Sequence, residues 1–171
     1  MKILGNPYTP FEFPRYLDTV QFTNWRPTAI CIHHCAAPSL AQRPLGFLPQ
    51  HMLNLKAHYE SLGWRSGPHL FIDDDQAWTF TPLNERGVHA VSFNSYALGI
   101  EMLGNYDTED PTSGRGAKVI ATTAIVVEML MEKLDIPKSK ILFHRDDPKT
   151  DKSCPGRKIT KEWFLAQIQE S

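Results

Sequence analysis

Thr28-Ala29-Ile30-Cys31-Ile32-His33-His34-Cys35 is a short apolar run with β-branched residues at Thr28, Ile30 and Ile32, which begins just after Pro27 and ends in imidazoles and a thiol. That composition predicts a buried strand. Side chains alternate faces along a strand, so Cys31, His33 and Cys35 share one side and His34 points to the other. Moving outward, a loop through Pro38, Arg43 and Pro44 leads to Leu48, Met52, Leu55, Tyr59 and Leu62, spaced 4, 3, 4 and 3. This spacing predicts one apolar helix face, with Pro49 suited to the first turn and Gly63 to the stop. His69–Asp73 and Ala77–Phe80 read as a hairpin around Asp74-Asp75-Gln76, and Ala97–Met102 as a second buried strand. The polar stretch from Gly104 to Gly116 reads as a long exposed loop. Ile120, Ala124, Val127, Met131 and Leu134 then restore the 3.6 period, widened by Val126, Met129 and Leu130 into the stripe of a largely buried helix. Lys140–Phe143 gives a last strand, and Thr160 can cap a C-terminal helix bearing Phe164 and Ile168. Strands alternating with helices predict an α/β fold, a central mixed β-sheet flanked by helices.

The 171 residues suit one domain spanning 1–171, which would bury roughly 70% of its unfolded surface. Seven of the thirteen prolines fall before residue 50, so residues 1–27 read as an irregular arm packed through aromatic side chains. With 42% hydrophobic and 22% charged residues, disorder and coiled coil are excluded. The net charge of −1 lacks the basic excess of a non-specific nucleic-acid binder. No run approaches the ~20 apolar residues of a membrane span. The N-terminal stretch lacks the apolar run of about 7–15 residues that a secretory signal needs, so synthesis in the cytoplasm is expected. Three cysteines do not make a disulfide framework, which leaves at least one thiol available as a ligand.

His33 ends the first strand and His144 follows the last one, and Cys154 comes ten positions after His144 in a loop. Two imidazoles and a thiolate are three borderline-soft donors of the kind zinc takes, and three protein ligands with an open fourth position is the catalytic arrangement. Spacing alone leaves alternatives open, because no C-x-x-C or H-E-x-x-H is present. Cys31 in a strand is more often a small core hydrophobe, and isolated histidines such as His51 and His58 are more often packing or surface.

Five blocks occur in one order: Ile32-His33-His34-Cys35-Ala36, Gly67-Pro68-His69-Leu70-Phe71-Ile72, Gly87-Val88-His89-Ala90, Leu98-Gly99-Ile100-Glu101-Met102, and His144-Arg145-Asp146 through Lys152-Ser153-Cys154-Pro155-Gly156. From about Ala29 to the C-terminus the chain resembles the type-2 N-acetylmuramoyl-L-alanine amidases, which include phage endolysins and peptidoglycan recognition proteins. The resemblance implies one zinc ion per chain held by His33, His144 and Cys154. It implies a transition-state role for Lys152, two positions before the last ligand, a catalytic Glu101 in the G-I-E block, and His89 lining the substrate groove. The implied activity is hydrolysis of the amide between N-acetylmuramic acid and L-alanine, with peptidoglycan or muropeptide as partner, by a monomer. A phage or prophage endolysin would reach the wall after holin action. The alternatives are a cytosolic anhydro-muropeptide amidase of wall recycling, a non-catalytic peptidoglycan-binding module, and a structural zinc site with a fourth protein ligand. Two departures stand out. Pro68 replaces a Tyr common before the family's H-F block, which places more weight on Glu101, and Cys154 stands where the recycling branch carries Asp.

Overall fold

The computed structural model describes residues 1–169. Its elements are β1 (Pro7–Tyr8), α1 (Phe13–Thr19), β2 (Ala29–His34), α2 (Pro49–Ser61), β3 (Leu70–Ile72), β4 (Ala77–Thr79), β5 (Ala97–Met102), α3 (Gly114–Leu134), β6 (Ile141–Phe143) and α4 (Lys161–Gln167). The strands form one six-stranded sheet in the order β1-β4-β3-β5-β2-β6. β3, β5, β2 and β6 run parallel, and β4 and β1 add antiparallel at one edge. This is the mixed sheet with flanking helices that the alternating pattern predicts.

Period-2 alternation divides the work of the sheet between its faces. Ile30 and Ile32 of β2, Leu70 and Ile72 of β3, and Leu98, Ile100 and Met102 of β5 belong to one large core, together with α1, α3 and α4. From α3 this core takes Val119, Ile120, Ala124, Val127, Leu130 and Leu134. Each fully buried side chain of this size contributes roughly 1.5–3 kcal/mol, so this face is the main source of stability. The intervening residues face the other way, where Phe71 and Trp78 pack with Phe47 and Met52 beneath α2, and Ala29, Cys31 and Ala97 pack with Ala90 and Phe93.

Two expectations need correction. Residues 1–27 are not irregular throughout. Pro14 sits in the first turn of α1, where its missing N–H costs nothing, and Phe13 and Leu17, four apart, bury in the main core. Pro7 pairs opposite Trp78 on the edge strand, a position that tolerates proline. The 104–116 segment is not uniformly exposed. Tyr106 is fully buried, because its hydroxyl donates to the Leu103 carbonyl at 3.0 Å and its ring can leave water without an unpaired polar atom. In α2 the apolar stripe is only partly covered: Met52 is buried, but Leu48 and Leu62 are 44% and 52% exposed. The helix leans on the sheet through its middle and leaves its C-terminal end open over a groove.

Candidate metal centre and groove

β5, β2 and β6 lie side by side and parallel, so their C-terminal ends form one rim, the usual place for ligand sites in α/β sheets. The register places His33 opposite Glu101 and Ile32 opposite Phe143, so His144 follows directly beside His33. Three adjacent strands thus deliver Glu101, His33 and His144 in a row. Cys154 arrives on the loop after β6, which Arg145 clamps from below. Its guanidinium donates to the carbonyls of Ser153 (3.3 Å), Gly156 (3.1 Å) and Ile159, and lies 4.9 Å over the Phe143 ring. Gly156, at φ +115°, lies against the backbone of Tyr106, and a Cβ there would come within 2.5 Å of the Tyr106 carbonyl carbon. Only glycine lets the loop close this far onto the strand ends.

Nδ1 of His33 and Nδ1 of His144 are 3.1 Å apart, and with Cys154 Sγ they form a set whose donor atoms all lie within 4.8 Å of one another. In a tetrahedral zinc site with Zn–N near 2.0–2.1 Å, two ligand nitrogens stand about 3.3 Å apart, so the observed separation fits a shared ion. The backbone N–H of His34 donates to Cys154 Sγ at 3.4 Å, a contact that favours the thiolate a metal needs. A second set, Cys31, His33 and His89, also has its donor atoms mutually within 4.8 Å. It fits a substrate-accessible ion less well: Cys31 is fully buried within β2 and is absent from the groove wall, and both ring nitrogens of His89 are engaged.

Burial shapes the charges here. His33 is 1% exposed, and desolvation, with His89, His144 and Lys152 nearby, holds it neutral well below the ordinary histidine range. Desolvation, aided by the Lys152 charge, lowers His144 as well. Burial pushes the Glu101 carboxyl up to about 8, against the pull of Lys152, and lifts the Cys154 thiol, with the Glu101 charge adding to the rise. Glu101 Oε1 lies 3.7 Å from His33 Nδ1. Two imidazoles held neutral and a thiol thus bring their donor atoms together, with the Glu101 carboxyl beside His33. A divalent cation held by those donors would favour the charged forms of the thiolate and carboxylate.

The centre forms part of the wall of a groove of about 940 Å³, large enough for a peptide-bearing ligand. Lys152 stands at its lip, and its ammonium has no hydrogen-bond or ion-pair partner among the described residues. Tyr59 and Trp64, stacked at 5.1 Å at the end of α2, line the groove, as does Pro68. His89 is on the wall too, with Nδ1 3.1 Å from His33 Nε2 and Nε2 3.0 Å from the Ala97 carbonyl. All six residues singled out in the sequence (His33, His89, Glu101, His144, Lys152 and Cys154) thus face one groove. His34 lines it as well, although it points away from His33, because β2 ends there; its Nδ1 accepts the Tyr106 N–H at 3.0 Å. The sequence reading missed Arg43, which reaches the groove from a loop with no periodicity, and the Tyr59–Trp64 pair, whose Tyr59 had been assigned to the helix's apolar stripe. It also missed His69 as a cross-link: Nδ1 accepts the Gly99 N–H at 2.9 Å and Nε2 donates to the Glu85 carbonyl at 2.9 Å, an arrangement only the parallel pairing of β3 and β5 brings about.

Comparison with known proteins gives this architecture its relatives. A family model described as N-acetylmuramoyl-L-alanine amidase matches residues 23–157. Peptidoglycan-recognition protein SC2 of Drosophila simulans is 33% identical over 113 residues, 64% of this chain and 58% of the relative, so the chain spans less than two thirds of that protein's length. Peptidoglycan-recognition protein SC1a of Drosophila melanogaster is 31% identical over 150 residues, 84% of this chain and 75% of the relative. Among solved structures, a mutant endolysin from Bacillus subtilis superposes with a TM-score of 0.64 at 27% identity, covering 84% of this chain and 86% of the other. The matched span takes in β2, β5, β6 and the loop through Cys154, and on that basis the chain belongs to the N-acetylmuramoyl-L-alanine amidase family.

Proposed function

We propose that this protein is a zinc-dependent amidase that hydrolyses the bond between N-acetylmuramic acid and L-alanine in peptidoglycan, in the manner of an endolysin. The observation that carries the proposal is the convergence of His33, His144 and Cys154 within 4.8 Å on the wall of the groove, with Glu101 3.7 Å from His33. In this reading the two imidazoles and the thiolate hold one zinc ion. When bound, zinc supplies Lewis acidity, which polarises a carbonyl and acidifies water.

The chain's own residues do the rest. The groove holds the glycan–peptide junction against the Tyr59–Trp64 wall and brings the scissile carbonyl over the strand ends. Glu101 takes a proton from the attacking water as its oxygen bonds to the lactyl carbonyl carbon. The same carboxyl returns that proton to the alanine nitrogen as the C–N bond breaks, leaving a free lactyl carboxylate and a free alanine amine. Burial raises the Glu101 carboxyl in the metal-free protein, and a bound cation would pull it back towards the carboxylate, the form that accepts the water's proton. The ammonium of Lys152, without a partner among the described residues, stabilises the oxyanion of the tetrahedral intermediate.

The test offers intact sacculi and soluble anhydro-muropeptides separately to the zinc-loaded protein and assays new lactyl carboxyl and alanine amino termini. Release from sacculi is expected. Cleavage of soluble fragments alone would indicate a recycling enzyme, and binding without cleavage of either would overturn the amidase reading.

A further inference from the structure

We propose that His89 is a positioning residue for the metal centre: it fixes the His33 imidazole in the tautomer whose Nδ1 lone pair faces His144 and Cys154. The inference rests on the zinc reading above and goes beyond it, because it gives a role to a residue outside the ligand set and to Gly99.

The argument is proton accounting along a chain of three contacts. The Ala97 carbonyl can only accept, so its 3.0 Å contact requires His89 Nε2 to carry a proton. A neutral imidazole has one ring proton, so His89 Nδ1 presents a lone pair. That lone pair lies 3.1 Å from His33 Nε2, which must therefore be the protonated nitrogen of His33. His33, 1% exposed, is left with a lone pair at Nδ1, the atom 3.1 Å from His144 Nδ1. A ligating histidine held through its other nitrogen is the standard means of fixing ring orientation and raising ligand basicity. Here the holder is a second histidine anchored to the backbone of β5.

The fold builds a seat for this ring. Asn94 Oδ1 accepts the backbone N–H groups of His89 (2.8 Å) and Ala90 (2.9 Å), which fixes where the side chain departs. The ring then lies directly on Gly99, where a Cβ would stand 2.4 Å from His89 Cγ. It meets the His33 ring edge-on, at 89° with centroids 5.1 Å apart. The G-V-H and L-G-I-E blocks are thus two halves of one device: Gly99 supplies the space and His89 fills it, with the Ala97 carbonyl two residues earlier in β5 as the terminal acceptor.

The test measures zinc affinity by chelator competition, with folding checked by circular dichroism. His89→Ala should weaken zinc binding about 10–100-fold. His89→Asn, whose Oδ1 can replace Nδ1 as acceptor, should recover most of that loss. Gly99→Ala, which displaces the ring, should resemble His89→Ala. Nitrogen-15 NMR of the metal-free wild-type protein needs no variant and should find His33 protonated at Nε2. Unchanged affinity in folded His89→Ala, an Asn variant as weak as Ala, or a His33 protonated at Nδ1 would each overturn the proposal. So would zinc that depends on Cys31 and not on Cys154, which would make His89 a ligand. A wild-type protein that binds no zinc would instead bring down the metal reading itself, so the two failures are distinguishable.

Discussion

On the helix side of the sheet, β2 and β5 present Ile30, Ile32, Leu98 and Ile100 to α3; on the groove side the same two strands present Cys31, His33, Gly99 and Glu101. The two sets alternate residue by residue, so a slip of one position would exchange them. The helix side is dry, apolar and made of residues that only pack. The groove side holds buried titratable groups that cost stability, which the apolar side makes affordable. The difference teaches that the site is not an addition at the edge of the fold. It is the other half of the alternation that builds the core, and changes on the two sides should have separable consequences.

The largest effect is expected on the groove side. Cys154→Ser should lose zinc and bring hydrolysis to the level of the metal-free protein while leaving the fold intact, measured as metal content and turnover on sacculi. Persistent zinc-dependent turnover would remove Cys154 from the centre. Lys152→Ala should lower kcat about 10²–10³-fold with zinc content unchanged if its charge acts on the oxyanion, as proposed, and not on the metal. On the opposite face, Leu130→Ala should cost about 2–5 kcal/mol of stability without changing the affinity for zinc. A Leu130 variant with altered zinc affinity would show that the faces are coupled.

The smallest effect is in pH dependence, and it sharpens the contrast because the buried titratable groups concerned lie on the groove side. Burial lowers His69 to about 3 and His89 to about 4, from 6.5. Their neutral forms therefore contribute stability above pH 6.5 that is lost as pH falls from 6.5 towards about 4 for His89 and about 3 for His69. Glu101, raised from 4.5 to about 8, contributes in the opposite sense: its stability is present below pH 4.5 and lost as pH rises towards 8. Metal-free protein should accordingly be most stable near pH 6–7 in thermal melts. Glu101→Gln should flatten the alkaline decline and leave the acid limb in place. An unaltered alkaline limb would place the Glu101 carboxyl in water.

How much of this was legible in the sequence differs between the same two faces. The helix side was readable because periodicity reports burial directly: the α3 stripe, the apolar strands and the Thr160 cap, whose Oγ1 accepts the Trp163 N–H at 3.2 Å, need only local rules. The proposed metal donors were readable as residue types at strand ends, although the 3.1 Å approach of the two imidazoles depends on β6 pairing with β2, which no local pattern encodes. The seat of His89 on Gly99 was not readable, because a missing Cβ leaves no hydropathy signal and its partner lies ten residues away on another element. Helix α1 was obscured by Pro14, which reads as a breaker until its first-turn position is known.

The most direct test of the account is the zinc K-edge absorption spectrum of the loaded protein, recorded beside that of Cys154→Ser exposed to equal zinc. One sulfur near 2.3 Å with nitrogen and oxygen neighbours near 2.0–2.1 Å is predicted for the wild type, with no sulfur shell in the variant. A wild-type spectrum without sulfur, or a sulfur shell that survives in Cys154→Ser, would contradict it.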